Sequence, residues 1–394
     1  MKIPSAGTPL AGGDLLSALS GLWKPLTHAF QDSLASRLSV RTVSLNNSGT
    51  TSCYLILKTL ASQSSRREVV IPAYTAPSLT LPIRKAGLIP RLCDVSIDSL
   101  NLEPSALERV IGPQTLCVMP VHMFGLPCNM DEIRRRVRPY SIVIVEDAAS
   151  SFGSRLNNRE TGTLGDVGFF SFNRGKNLAT LAGGCIVTEN RDLFDQVEKE
   201  KQKLPPLNLI SQFKLFVKLV GLAAAVRPTG YTLLYEFVKR YKYTTLHTDF
   251  ESYQYPDVLA GAGVSLMRHA DSLLDSRYRN GLTLTAALND VNGIRLPVLP
   301  PNAYPVYNQF PLLVENPERR TRLVKEIVRK TGVEATTLYP EPLHRIYDMG
   351  YPDTPDPFPQ ATFMAKHLLL IPTHPLMTPN LLAQVAEVIR TEVG

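Results

Sequence analysis

The sequence predicts an α/β protein, with a large unit built on a mostly parallel mixed sheet flanked by helices and a smaller C-terminal α/β unit. Three observations carry this. From about residue 40 to 190, short β-branched runs alternate with helix-like stretches, the rhythm of βαβ units. From about residue 275 a shorter series of helix, strand and helices repeats the theme. The chain has 394 residues, 44% of them hydrophobic and 20% charged, a globular composition with ample core for two domains. The expected division is 1–250 and 251–394, with an apolar, basic insertion at about 204–245.

The expected strands are Val43–Asn46, Glu68–Ile71, Ile89–Leu92, Thr115–Pro120, Ile142–Glu146, Gly168–Phe172 and Cys185–Thr188, each short and rich in Val, Ile, Leu or Phe. Between them the pattern predicts helices at Thr50–Ala61, Ser78–Ala86, Pro104–Val110, Met130–Val137 and Arg191–Lys203. The smaller unit reads as a helix near Ala270–Leu288, a strand near Val306–Val314, a helix at Pro317–Lys330 and a closing helix at Pro379–Thr391. Mostly parallel sheets bind ligands at the carboxyl ends of their strands, so the residues just after each strand are the candidates for chemistry.

Charge and cysteine usage exclude several function classes. There are 42 Lys and Arg against 35 Asp and Glu, a formal charge of +7. Eight of the basic residues (Lys201, Lys203, Lys214, Lys218, Arg227, Lys239, Arg240, Lys242) and only one acid, Glu236, fall between Lys201 and Tyr243. Removing those eight and that one leaves 34 of each sign, so the surplus belongs to one segment. A general nucleic-acid surface is not indicated, because these residues are interleaved with Leu, Val and Phe. Five dispersed cysteines without a CxxC argue against a zinc site or a disulfide framework and suit a reducing cytoplasm. The N-terminus lacks the apolar core of a signal peptide, and no uninterrupted apolar run reaches 18 residues.

Three strand ends carry distinctive polar groups. After Val43–Asn46 comes Ser48-Gly49-Thr50-Thr51, entering a helix; free N–H groups, hydroxyls and the helix dipole there suit a phosphate or simply cap the helix. After Ile142–Glu146 comes Asp147, a carboxylate that needs a cationic or hydrogen-bonding partner if buried, or a helix cap if not. After Gly168–Phe172 comes Asn173-Arg174-Gly175-Lys176, a lysine that is either an ordinary surface residue or an amine made nucleophilic by desolvation. Together, a phosphate cradle, a carboxylate for a pyridine nitrogen and an amine for a Schiff base are what pyridoxal phosphate requires.

The segments Ser48–Ser52 (SGTTS), Val69–Ser78 (VVIPAYTAPS), Pro120–Ile133, Val145–Ser154 (VEDAASSFGS) and Gly165–Thr188, with Leu338–His344 and His367–Pro375 further on, resemble the DegT/DnrJ/EryC1/StrS aminotransferases. The resemblance runs over nearly the whole chain. It implies a pyridoxal-phosphate-dependent transferase of fold type I acting as a homodimer with sites at the subunit interface. Lys176 then resembles the Schiff-base lysine, Asp147 the partner of the pyridinium nitrogen, and Ser150 the group near the cofactor's 3-hydroxyl. Ser171 resembles a phosphate ligand, and Gly49 and Thr50 the main-chain phosphate cradle. The implied reaction takes an amino group from an amino acid, glutamate by resemblance, through pyridoxamine phosphate to a keto acceptor, a nucleotide-linked or lipid-linked keto-sugar. The retained Lys176 disfavours the family's sugar dehydratases, where histidine replaces it. A dehydratase or other lyase, and a non-catalytic membrane-associated scaffold, are the rival readings.

The sequence departs from the family in two places. On the substrate side, Ala76 stands where relatives often carry an aromatic over the cofactor ring, with Tyr74 nearby but out of phase. Ser252 and Gln254 fall where an Asn-x-Arg loop usually reaches the neighbouring subunit. Pro305 and Leu338 replace histidines, while His344 remains as a substrate contact or a structural histidine. The second departure is the insertion. On a helical projection of Leu209–Val226, Ser211, Lys214, Lys218, Gly221 and Ala225 line one narrow face and bulky apolar residues fill the rest. Arg227-Pro228 breaks that helix, and Tyr231–Tyr243 forms a second, aromatic and basic one. The pattern is that of an in-plane interfacial helix pair touching an anionic membrane, or of a hairpin buried against the dimer partner or the core. The expected location is the cytoplasm, peripheral on the inner face of the membrane in the first reading.

Overall fold

The computed structural model describes residues 1–241 and 248–393. Two N-terminal helices, α1 (Gly12–Ser20) and α2 (Thr27–Leu38), precede the strand–helix alternation. Strand β1 (Val43–Asn46) leads into α3 (Gly49–Ser62), which Ser48 caps by accepting from Thr51 N at 3.0 Å. Next come β2 (Glu68–Pro72), a 3-10 turn at Pro77–Leu79, α4 (Thr80–Lys85), β3 (Ile89–Cys93), β4 (Thr115–Val118), α5 (Met130–Val137) and β5 (Val143–Asp147). A small hairpin, β6 (Arg155–Leu156) and β7 (Arg159–Glu160), precedes β8 (Val167–Ser171) and β9 (Gly184–Val187). The expected helix at Pro104–Val110 is instead a 3-10 stretch at Pro104–Arg109. Only seven residues separate Pro104 from Gly112, a short run that suits the tighter 3-10 form.

The seven strands order as β1-β9-β8-β5-β4-β2-β3. Strands β3, β2, β4, β5 and β8 pair in parallel, and β9 runs antiparallel to both β8 and β1, so the sheet is mixed as expected. All residues of β1, β4, β8 and β9 are buried, which is why they read as near-continuous apolar runs. The ends of β1, β5 and β8 lie on one side of this sheet, and the three polar segments singled out above follow them.

The rest of the chain forms α6 (Arg191–Gln202), α7 (Leu209–Val226), α8 (Pro228–Tyr241), α9 (Asp257–Met267), α10 (Ala270–Leu288), β10 (Ile294–Arg295), β11 (Ala303–Tyr304) and β12 (Gln309–Val314). It closes with α11 (Pro317–Thr331), α12 (Leu343–Ile346), α13 (Pro359–His367), β13 (Leu368–Pro372) and α14 (Pro379–Val393). A second sheet, β10-β12-β13, is antiparallel, while β11 adds to the β6–β7 hairpin and ties the units together. Helix α9 shares one apolar cluster with α1, α2, β1 and β9. We therefore propose that the smaller unit begins near α10 rather than at residue 251.

The insertion forms the pair α7 and α8. Asn208 caps α7 by accepting from Ser211 N at 2.9 Å, and Arg227 ends it in an extended conformation ahead of Pro228. The side chains of Lys239 and Arg240, and residues Lys242 and Tyr243, lie outside the described residues. One face of α7, through Leu219, Ala223 and Val226, is buried; Leu219 and Ala223 join the α1–α9 cluster, and the opposite face is exposed. Burial in the core is thus true of one face only. By length and composition α7 could cross a membrane, although Lys214 and Lys218 interrupt its apolar run.

The first eight residues form a strap across the molecule. Ile3 N donates to Gly332 O at 3.0 Å, Ser5 N to Glu334 Oε2 at 2.9 Å, and Thr8 Oγ1 to Lys176 O at 2.9 Å. His374, fully buried, donates from Nε2 to Pro4 O at 2.8 Å. Burial, and then the Arg277 charge, hold His374 down from 6.5 to about 4. The unfolded chain therefore takes up a proton near pH 6.5 that the folded one refuses. Stability is full above that pH and falls as pH drops toward about 4, by about 2 kcal/mol at pH 5. Urea midpoints at pH 7.5 and pH 5 should show this loss, and His374→Gln should reduce it.

Candidate active site

The end of β5 carries two adjacent carboxylates on opposite faces, as the period of a strand requires. Glu146 is fully buried. Its Oε1 accepts from Leu164 N and Gly165 N, and its Oε2 accepts from Gly162 N at 2.9 Å and from His122 Nε2 at 2.8 Å. Cys128 N donates to His122 Nδ1 at 3.0 Å, so the Nε2 proton faces Glu146 and the ring links the segment after β4 to the end of β5. Asp147, next along, accepts from Ala149 N at 2.9 Å on one oxygen and has no donor for the other among the described residues. Burial raises its pKa, and the Ala149 N–H and the Lys176 charge oppose that rise.

Lys176 sits in the loop after β8. Gly175 adopts φ +82°, a left-handed turn that favours glycine. The loop is pinned from three sides. Thr8 donates to Lys176 O, Asn308 Nδ2 donates to Gly175 O at 2.6 Å, and Asn177 Nδ2 donates to Phe152 O and Val306 O at 3.1 and 2.9 Å. The amine itself donates to Ser150 Oγ at 2.9 Å. Desolvation lowers the pKa of Lys176, while the charge of Asp147 raises it. The two groups thus sit close enough to bias each other's protonation.

The first turn of α3 closes the opposite side. A Cβ on Gly49 would fall 2.9 Å from Ser171 Cβ, so the two backbones touch and the Ser171 hydroxyl lies against the helix N-terminus. The Thr50 hydroxyl has no hydrogen-bond partner among the described residues, while Thr51 is held by Ser48 and by Ser252 Oγ at 3.3 Å. Thr75, in the loop after β2, is buried with an unpartnered Oγ1. Tyr74 is buried and donates to Tyr339 O at 3.0 Å, so it faces the core and not the position beside Ala76.

The structure thus brings together Lys176, Ser150 and Asp147, and separately Gly49, Thr50 and Ser171 around one helix start. Ser252 reaches the same helix start within its own chain. Gln254 does not join the group, since its amide donates to Leu204 O at 2.9 Å and anchors the base of the insertion. His344 is also elsewhere: its ring packs edge-on to Phe358 at 5.0 Å, with Nε2 3.3 Å from Asp356 Oδ1. The adjacent Leu343 N donates to Ala73 O at 2.8 Å and ties the α12 turn to the segment after β2. Sequence reasoning missed His122, Glu146, Thr75 and the strap residue Thr8. The available signal was a second acid beside Asp147 on an apolar strand. A cavity of about 620 Å³ lined by Arg37, Arg155, Glu160, Thr163, Asp166 and Asn190 contains none of the expected site residues.

These groups fit pyridoxal phosphate: a free hydroxyl and a helix N-terminus where no Cβ fits, a buried carboxylate with one open oxygen, and a desolvated amine. Fold and site define a pyridoxal-phosphate-dependent aminotransferase of fold type I. The chain belongs to the DegT/DnrJ/EryC1/StrS aminotransferase family, whose sequence profile matches residues 21–390. It is 26% identical over 328 residues to a dTDP-3-amino-3,4,6-trideoxy-alpha-D-glucose transaminase of Streptomyces venezuelae, covering 82% of this chain and 76% of the relative. It is 32% identical over 127 residues to a GDP-4-keto-6-deoxy-D-mannose 3-dehydratase of Escherichia coli, covering 32% of this chain and 33% of that one. The Helicobacter pylori aminotransferase PseC, involved in pseudaminic acid biosynthesis, shares the fold with a TM-score of 0.80 at 16% identity, over 100% of this chain and 99% of that one.

Gly49→Ala should weaken cofactor binding, because the added methyl must push Ser171 away from the helix start. The expected loss is about tenfold in affinity, the usual scale of overpacking at one contact. Titrating the apoprotein with pyridoxal phosphate and following absorbance measures it.

Proposed function

We propose that the protein transfers an amino group from an amino acid, glutamate by resemblance, to a keto-sugar carried on a nucleotide or a lipid. The observation that carries this reading is the Lys176 amine, desolvated, hydrogen-bonded to Ser150 and biased by Asp147. Bound here, pyridoxal phosphate supplies an aldehyde that condenses with amines and a ring that withdraws electrons.

The chain's own residues divide the remaining work. Lys176 Nζ would be the nucleophile that holds the cofactor's aldehyde and, once displaced, the base that takes a proton from the substrate's α-carbon and returns it to the aldehyde-derived carbon on the far side of the shared nitrogen. Desolvation keeps that amine neutral at lower pH than an exposed lysine, and Ser150 Oγ fixes its direction. The open oxygen of Asp147 accepts from the ring nitrogen and keeps its proton in place. Gly49, Thr50 and Ser171 hold the phosphate through N–H and hydroxyl donors at a helix start, where the dipole favours an anion. In this reading the working unit is a homodimer, and Ser252 supports the helix start of its own chain.

A second reading, sugar dehydration, has support from the dehydratase relative. Single-turnover mixing with glutamate separates the two. Transamination predicts stoichiometric 2-oxoglutarate and the pyridoxamine form, reversed by a keto acceptor; a dehydratase gives no net amino transfer to a sugar. Lys176→Ala should slow the glutamate half-reaction by about 10²–10⁴-fold, the range for removing a positioned acid–base group. In Asp147→Asn the Lys176 amine of the apoprotein should titrate at lower pH than in wild type, because the charge that raises its pKa is gone. The pH dependence of its reductive methylation reads this out, and an unchanged profile would contradict the pairing.

A further inference from the structure

The exposed face of α7 has no partner among the described residues. Leu209, Ile210, Phe213, Val217 and Val220 all lie on it, with Ile210 69% and Phe213 52% exposed. At 100° per residue they occupy one arc, centred about a third of a turn from the buried Leu219–Ala223–Val226 face. Leu233 on α8, 87% exposed, and Leu234 add to the uncovered apolar surface of the helix pair. Water-facing aliphatic and aromatic residues in such a row mark a contact surface.

Charge indicates what covers it. Lys214 and Lys218, exposed and one turn apart, flank the apolar arc, and neither has an acidic partner among the described residues. Lys201 and Lys203 are instead neutralised by Glu198 and Glu200 on α6. The one acid of the helix pair is Glu236. The occupant must therefore be apolar in its interior and negative at its rim.

The pair is also firmly mounted. A Cβ on Gly7 would meet Val226 Cγ1 at 2.9 Å, Tyr231 OH donates to Glu334 Oε2 at 2.7 Å, and Lys2 N donates to Thr232 Oγ1 at 2.7 Å. Crossing a bilayer would strip Leu219 and Ala223 out of their cluster, so the helix lies flat. We infer that α7 and α8 form a platform that docks in-plane on the surface of an anionic lipid bilayer. Apolar side chains enter the interface and Lys214 and Lys218 meet the headgroups. The inner side of this platform holds the strap whose Thr8 grips Lys176 O, so docking sets the orientation of the catalytic unit on the membrane.

The test uses the full-length holoprotein and vesicles of phosphatidylcholine alone or with one part in three of phosphatidylglycerol. Flotation should recover the protein with the anionic vesicles, less at high salt, and little with the neutral ones. Lys214→Glu with Lys218→Glu, and separately Phe213→Ser with Val217→Ser, should each weaken vesicle binding by roughly tenfold or more while the bound-cofactor absorbance persists. The single tryptophan, Trp23, allows a clean reporter. In Trp23→Phe/Phe213→Trp, emission should shift to the blue and be quenched by brominated lipid. Equal binding by wild type and both double variants would overturn the inference. So would no vesicle binding together with loss of the dimer mass in the Phe213→Ser/Val217→Ser variant, since a second copy would then cover the face.

Discussion

The site depends on burying one carboxylate completely. Glu146 has no exposure, and a charge there is tolerable only because three backbone N–H groups and the His122 ring converge on it. Those four bonds fix the 162–165 loop, the end of β4 and the end of β5 to one another. Asp147, the next residue, is thereby aimed from the other face of the strand with one oxygen held by Ala149 and one left open. The loop that Glu146 organises leads straight into β8, where Gly168 lies against Gly162 so closely that a Cβ would fall 2.1 Å from its carbonyl oxygen. Strand β8 in turn sets Ser171 against α3 and delivers Lys176. A structural acid and the acid proposed to face the cofactor's ring thus share one strand end, and the first positions the second.

Much of this was legible in the sequence, for identifiable reasons. The seven strands of the large sheet are short, apolar and separated by helical patterns, so periodicity finds them to within a residue or two. Lys176, Asp147 and the Ser48–Thr51 turn stand out because polar groups at the ends of apolar strands are conspicuous. What escaped depends on contacts between distant residues. The strap at 1–8 has no periodicity and is held by Gly332, Glu334, His374 and Lys176, all far along the chain. Helices α1 and α2 precede the alternating region, so the βαβ rhythm does not extend to them. Glu146 and His122 lie inside quoted motifs, yet their pairing is visible only when β4 and β5 are side by side. Gln254 and His344 show the converse. Each sits at a family position, but local packing engages their side chains elsewhere, on Leu204 and on Asp356 with Phe358.

The net charge separates the two halves of the protein's behaviour. The α/β body is electrically balanced, and its chemistry rests on a few buried groups whose pKa values are moved by desolvation and by each other. The surplus of positive charge falls between Lys201 and Tyr243, most of it on a helix pair bolted to the strap and the smaller unit. In the proposed docking, catalysis and placement are carried by different residues, joined mechanically through residues 2–8.

The central claim is that Lys176 is the amine that holds the cofactor. Reducing the pyridoxal-phosphate-loaded protein with borohydride and mapping peptides by mass spectrometry tests it most directly. One stoichiometric adduct, on Lys176, is expected. Full cofactor loading with the adduct on another lysine, or with none, would contradict it.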